Sequence, residues 1–339
     1  MEILSGFGRN ITLKQLFKTL VFQCILFERY RIILLVNNVN MRVNIGWFTR
    51  LGWLITMQKI FLIFLLFSPF HLAYAKNIHI YSLDVKSVSH VEVFVNDIPV
   101  TKLDPDNNED TRPVNQYLVK GVNKISLVLT PSVDELTGRP PVLNKDILTE
   151  ITLMQYPKGV MAGDPSAKQM LSEKWLLKQN DPIIDSVKKE YSINLDMDDA
   201  GWQWVKAEKL TLTPQLDKEV DAFLDNLQQI INSGKADEYV SLYKTRIQEQ
   251  AAAYGLEVNS MMEHSKNIIS QRKNDPAMQL VPLNKDEYAF RLVADGRLID
   301  CIAKDGDPVL RAKAGSNGFV PVFYDVKLGK IGGKLVILR

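Results

Sequence analysis

From Lys76 to about Leu212 the apolar residues recur mainly at every second position, and from Thr213 to about Pro276 at every third or fourth. Ile78, Ile80 and the series Val91, Val93, Val95 alternate with polar residues, as half-buried strands do. VFVNDIPV places Asn96-Asp97 between two apolar runs, a two-residue hairpin signal. DPDNNEDTRP reads as a polar loop. Asn115 to Lys120 form a short turn ending at Gly121, which tolerates positive φ. Ile125, Leu127 and Leu129 then alternate again, and ILTEITLM, KKEYSINL and WQWVKAEKLTL supply further strands. Residues 158–188 carry no decisive period.

Thr213-Pro214 is an N-cap followed by proline at the first helical position. Leu216, Val220, Phe223, Leu224, Leu227, Ile230 and Ile231 then share one helical face, and Gly234 ends the helix. A second helix turns Val240, Tyr243, Ile247, Ala251 and Tyr254 inward and stops at Gly255. A third carries Val258, Met261, Met262, Ile268 and Ile269. Past Pro276 strict alternation returns in EYAFRLV, GRLIDCIA, PVLRAKA, FVPVFYDV and GGKLVILR, with turns at Asp295-Gly296 and Asp305-Gly306. The expected fold class is therefore mixed. An all-β domain spans 76–212, and an α+β domain of three helices and a curved antiparallel sheet spans 213–339.

Two resemblances sharpen that expectation. VFVND, PVNQYLVKGVN and KISLVL, over residues 76–131, resemble the turn-loop-strand succession of the galactose-binding-like β-sandwich. The chain departs from that pattern at Asp97, where glycine is usual, and in the SVDELTGRPPVLNK insertion. The resemblance implies a jelly-roll sandwich and carries over no sugar-contacting residue. The order of elements over 213–339 is similar to the nuclear-transport-factor-2-like cone, which implies a sheet curved around a pocket.

MQKIFLIFLLFSPFHLAYAKN, residues 57–77, has the parts of an export signal. Lys59 is the positive region and Ile60 to Phe67 the apolar one. Ser68-Pro69 breaks it, and Ala73-Tyr74-Ala75 is a cleavage site that would leave Lys76 first. An apolar stretch of eight residues is short of the about 20 a spanning helix needs, so no stable membrane span is expected after cleavage. Residues 1–56 show no stable amphipathic period and read as an unfolded extension ahead of a start at Met57 or Met41. Residues 1–75 hold eight of the 41 Lys and Arg and two of the 39 Asp and Glu, leaving 33 against 37, a net of −4. That balance gives no basic surplus for nucleic acid. Cys24 falls in the removed segment and Cys301 remains alone, so no internal disulfide is expected. A cysteine-poor exported chain suits a bacterial periplasm.

Candidate chemistry is sparse. His264 in MMEHS has no H-E-x-x-H around it. LDMDDAGWQWVKAE opens like a calcium loop but has Ala200 and Ala207 where oxygen ligands are required. Asp104, Asp106, Asn108 and Asp110 crowd one loop that reads as solvated. Cys301 has no visible base and reads as a buried small residue. Three residues stand out. Asp300 shares a strand face with Leu298 and Ile302, so it is either solvated at an edge or buried in a pocket as a base of raised pKa; the solvated placement is the expectation. Trp202 and Trp204 share a strand face at the junction and either pack it or offer a stacking platform for a sugar. No cofactor or metal is expected. The expected function is an exported, non-catalytic protein that binds and neutralises a protein partner in the periplasm, in the manner of an immunity protein. The alternatives are a cell-wall glycan-binding module using Trp202 and Trp204, and a cone-fold enzyme using Asp300 as its base.

Overall fold

In the computed structural model, described residues are 78–130, 146–160, 164–179, 186–273, 275, 278–312 and 322–339. The export segment, the extension before it and the SVDELTGRPPVLNK insertion lie outside them. The described residues belong to one compact unit, Ala75–Arg339.

The period-2 region gives strands β1 (His79–Ser87), β2 (Val91–Val95), β3 (Ile98–Leu103), β4 (Glu109–Pro113), β5 (Gly121–Leu129), β6 (Ile147–Pro157), β7 (Lys168–Leu177) and β8 (Val187–Leu195). They form two four-stranded antiparallel sheets, ordered β4-β1-β6-β7 and β3-β2-β5-β8. One face of each is apolar. Tyr81, Leu83, Val85 and Ile151 from the first join Val91, Val93, Val95, Ile125 and Leu127 from the second in one hydrophobic cluster. Burying each such side chain contributes about 1.5–3 kcal/mol, which sets the register of every strand.

The first hairpin closes as the sequence implies. Asn96 and Asp97 take φ of 52° and 64°, and Val95 pairs with Ile98. Asn123, fully buried, explains why the following motif needs its asparagine. Its Oδ1 accepts from Val119 N and from Asn96 Nδ2, and its Nδ2 donates to Val119 O and Gly121 O. One amide side chain thus ties the turn before β5 to the β2–β3 hairpin.

WQWVKAEKLTL differs from expectation. It contains no strand; Gln203–Lys206 form a short helix, α1. Gly201, at φ of 61°, turns the chain, and Glu249 Oε1 accepts from Gln203 N at 2.5 Å, satisfying a free N–H at the helix start. Tertiary hydrogen bonding outweighs the period-2 spacing of the two tryptophans.

Helices α2 (Pro214–Asn232), α3 (Ala236–Tyr254) and α4 (Val258–Arg272) follow. Thr213 Oγ1 accepts from Leu216 N at 3.2 Å, and Gly255 ends α3 in the left-handed region. Ile268, expected inward, is 40% exposed. The last strands are β9 (Tyr288–Val293), β10 (Leu298–Ala303), β11 (Leu310–Arg311), β12 (Phe323–Tyr324), β13 (Lys327–Ile331) and β14 (Lys334–Ile337). β14-β13-β10-β9 form an antiparallel sheet and β11 pairs with β12. Leu216, Leu224, Tyr243, Ile299, Cys301 and Leu328 build a second cluster between helices and sheet. β10 faces both ways. Ile299 and Cys301 enter the second cluster, while Leu298 enters the first, together with Trp202, Trp204, Ala253 and Leu338. No helix among the described residues is long and apolar enough to cross a membrane.

Candidate functional site

Asp300 is buried, which corrects the expectation of a solvated edge. The antiparallel register explains why a carboxylate is tolerated there. Arg291 on β9 and Lys327 on β13 are its direct cross-strand neighbours, one on each side. Arg291 Nε donates to Asp300 Oδ2 at 2.8 Å, and Lys327 Nζ lies 3.5 Å from Asp300 Oδ1. The row continues in both directions. Arg291 makes a two-pronged pair with Glu92 on β2, with Nη1 to Oε2 at 2.8 Å. Lys327 Nζ donates to both Asp325 oxygens, at 2.6 and 2.7 Å.

The electrostatics of the row are those of mutual stabilisation. Burial opposes the charge on Lys327, but Asp325 and Asp300 outweigh it and raise its pKa. Burial likewise opposes ionisation of Asp325, yet Lys327 and Arg246 hold its carboxyl below the ordinary range. Both Asp300 oxygens face cations, so the geometry makes this residue a tie between three strands and β2. It is not placed as a free base. The neighbouring Cys301 is buried, and that burial pushes its thiol pKa up, away from the reactive thiolate.

Trp202 and Trp204 do come together, around a residue that the sequence does not advertise. Arg339 lies with its guanidinium carbon 5.5 Å from the Trp202 ring centre and 5.9 Å from that of Trp204. Arg339 also pairs with Glu249 and donates to Gln116 O at 2.7 Å. The indole nitrogens donate to Leu118 O at 2.8 Å and Gln116 O at 3.2 Å. At 4% and 6% exposed, the two rings fill the junction core and leave no open stacking face.

Beside this core the surface is hollowed. One recess of about 340 Å³ is lined by His79, Lys120, Asp196, Asp198 and Trp202 among others. A second, of about 420 Å³, shares Lys120, Ala200 and Trp202 with it and adds Asp199 and Lys206. Both signs of charge line each recess. Asn115, which also lines the first, has its side chain engaged, accepting from Tyr81 N and donating to His79 O and Ala253 O.

The remaining candidates lie apart from these groups. His264 is exposed on α4. Asp104 Oδ1 accepts from Asp106 N and Asn107 N, both at 2.8 Å, so the acidic loop is folded around its own backbone. Among the described residues no cluster of His, Cys, Asp and Glu has the geometry of a metal site. Sequence reasoning missed Glu92, Arg291, Lys327 and Arg339. The first three are separated by up to 235 positions and converge only once strand pairing is known. No family model, curated protein or solved structure matches the chain.

Proposed function

We propose that the chain is an exported, non-catalytic binding protein that takes a protein partner in the periplasm and neutralises it, in the manner of an immunity protein. The observation that supports this reading is the outer face of the β6–β7 pair. β7 is the last strand of its sheet among the described residues, and its neighbour β6 places Leu148 directly opposite Leu176. Both leucines are exposed, 40% and 48%, beside the Glu150–Lys174 ion pair. An apolar pair at an open strand edge, rimmed by charge, suits a protein partner that adds a strand or covers the edge. The proposed fold is a galactose-binding-like β-sandwich over 76–212 followed by a nuclear-transport-factor-2-like cone over 213–339. The two four-stranded sheets with a common apolar core support the first part, and the helices preceding the last antiparallel sheet support the second.

The test is co-expression with the product of the adjacent gene. A 1:1 complex on gel filtration is expected, and Leu176→Lys weakens it at least about tenfold, roughly 1.4 kcal/mol, with an unchanged melting temperature. Absence of a complex, or a complex indifferent to Leu176→Lys and Leu148→Lys, removes this reading. The glycan reading is supported by the mixed-charge recesses beside Trp202. It takes over if the chain is instead retained on peptidoglycan and Asp196→Ala releases it. Export itself is tested by N-terminal sequencing of periplasmic material, with Lys76 expected first.

A further inference from the structure

The second recess beside the tryptophans, of about 420 Å³, is built differently from the first. Its walls are mainly apolar, with Val119, Ala200, Trp202 and Val205 among them. Three charged side chains complete it: Lys120, Lys206 and Asp199. The turn at Gly201 positions two of these. Asp199 Oδ1 accepts from Gly201 N at 2.9 Å. Lys206 Nζ lies 3.3 Å from the point where a Cβ on Gly201 would stand, so its ammonium folds back over the turn. Neither lysine side chain has a hydrogen bond or ion pair among the described residues.

A recess of about 300–1,000 Å³ with apolar walls and a few polar groups is the usual form of a small-molecule site. The charges decide what enters. Two ammonium groups against one carboxylate leave the second recess one positive charge in surplus. The first recess has the opposite balance, with Lys120 against Asp196 and Asp198. A single unpaired surface lysine is ordinary. Two that line one apolar recess concentrate positive charge where water is partly excluded, and an anion gains most there. Ammonium groups donate and cannot accept, so the head must be an acceptor. Asp199 repels a second negative charge, which favours a singly charged carboxylate over a phosphate dianion. The apolar walls favour a hydrocarbon body beside that head. We propose that the recess around Gly201 binds a small amphipathic monoanion, an aliphatic carboxylate, with its head at Lys120 and Lys206 and its chain against Val119, Trp202 and Val205. The site shares no residue with the proposed partner surface on β6–β7 and does not depend on it.

The experiment titrates the purified full chain with sodium octanoate in a calorimeter at low ionic strength. Saturable binding is expected, tightening about two- to fourfold for each methylene added between butanoate and octanoate. Octylammonium, with the same chain and the opposite charge, is expected not to bind. Lys120, Lys206 and Val205 are all exposed, so substitutions there leave the melting temperature as in wild type. Lys120→Gln and Lys206→Gln are each expected to weaken octanoate about threefold, and the double variant about tenfold. Val205→Asp, which sets a like charge against the ligand, is expected to weaken it at least about tenfold. A chain that takes up no octanoate overturns the proposal. Binding undiminished in the double lysine variant and in Val205→Asp places the site elsewhere and overturns it too. Octylammonium bound as tightly as octanoate overturns the anion assignment, and butanoate bound as tightly overturns the role of the apolar walls.

Discussion

Asp300 shows what a single buried charge requires. Removing two ions from water costs several kcal/mol each, and the mutual attraction offsets this only where geometry and hydrogen bonding are good. Here cross-strand register supplies the geometry, placing a cation on each side of the carboxylate. Asp300→Asn leaves Arg291 and Lys327 each short of a partner and is expected to destabilise the fold by about 3 kcal/mol in urea titration. A change within about 0.5 kcal/mol would mean that Glu92 and Asp325 alone neutralise the two cations. The pH dependence follows from Lys327. Its folded pKa is raised, so its contribution is full below the unfolded value of about 10.4 and is lost as pH climbs through the folded value. The stability difference between wild type and Lys327→Met is therefore constant from about pH 6 to pH 10 and narrows above that. Buried tyrosines with raised pKa also lose stability at alkaline pH, but they are common to both proteins and cancel in the difference. None of this was legible from RLIDCIA. The sequence offered an acid between two aliphatics, and only the register of β9 and β13 distinguishes a solvated acid, a base and a tie.

At the scale of elements, the punctuation was legible and the weak spacings were not. Thr213-Pro214, Gly234, Gly255 and the Asn96-Asp97 hairpin act as their local chemistry dictates. The W-x-W spacing misled, because alternation over three residues cannot distinguish a strand from one turn of helix whose start is held by a distant glutamate. Residues 158–188 hid β7, whose side chains are largely solvent-facing and so leave no apolar alternation to read. Gly255 permits a direct test. It sits at φ of 61°, and a Cβ there would press on the Ile78 Cδ1 and Lys158 Nζ atoms. Gly255→Ala is expected to cost more than about 1 kcal/mol, since left-handed strain and contact with β1's approach add. Thr213→Ala, which removes only the cap, is expected to cost about 1 kcal/mol, measured in the same titration.

For the whole molecule, the change of period at Thr213 marks a change of element type, while the cores are less sharply divided. Trp202 and Trp204 pack in one cluster with Ala253, Val293, Leu298 and Leu338, and Glu92 reaches across to Arg291. The intact chain from Lys76 is expected to unfold in a single calorimetric transition. Fragments 76–212 and 213–339 are each expected to be less stable than the whole and to associate when mixed. Two resolved transitions in the intact chain, matching those of the fragments, would show that the junction contributes nothing. The sequence revealed the two kinds of element because each buries its own apolar stripe. It concealed the junction, since Arg339, Glu249 and Gln116 are ordinary polar residues until they meet around the tryptophans.

The β2–β3 turn also has a place in time. Asp97 stands where glycine would ease a positive φ, and its Oδ2 accepts from Asp295 N at 3.0 Å while its carbonyl accepts from Ala294 N. Ala294 and Asp295 are themselves held at positive φ, 55° each, in the β9–β10 turn. The two partners lie 198 positions apart, so a two-residue turn takes part in one of the longest loop closures among the described residues. A chain made from its N-terminus presents Asp97 long before Asp295 exists. The hairpin must hold its strained geometry unaided, or form it last. Asp97→Gly therefore separates speed from endurance: the early hairpin forms more readily, while the finished protein unfolds faster.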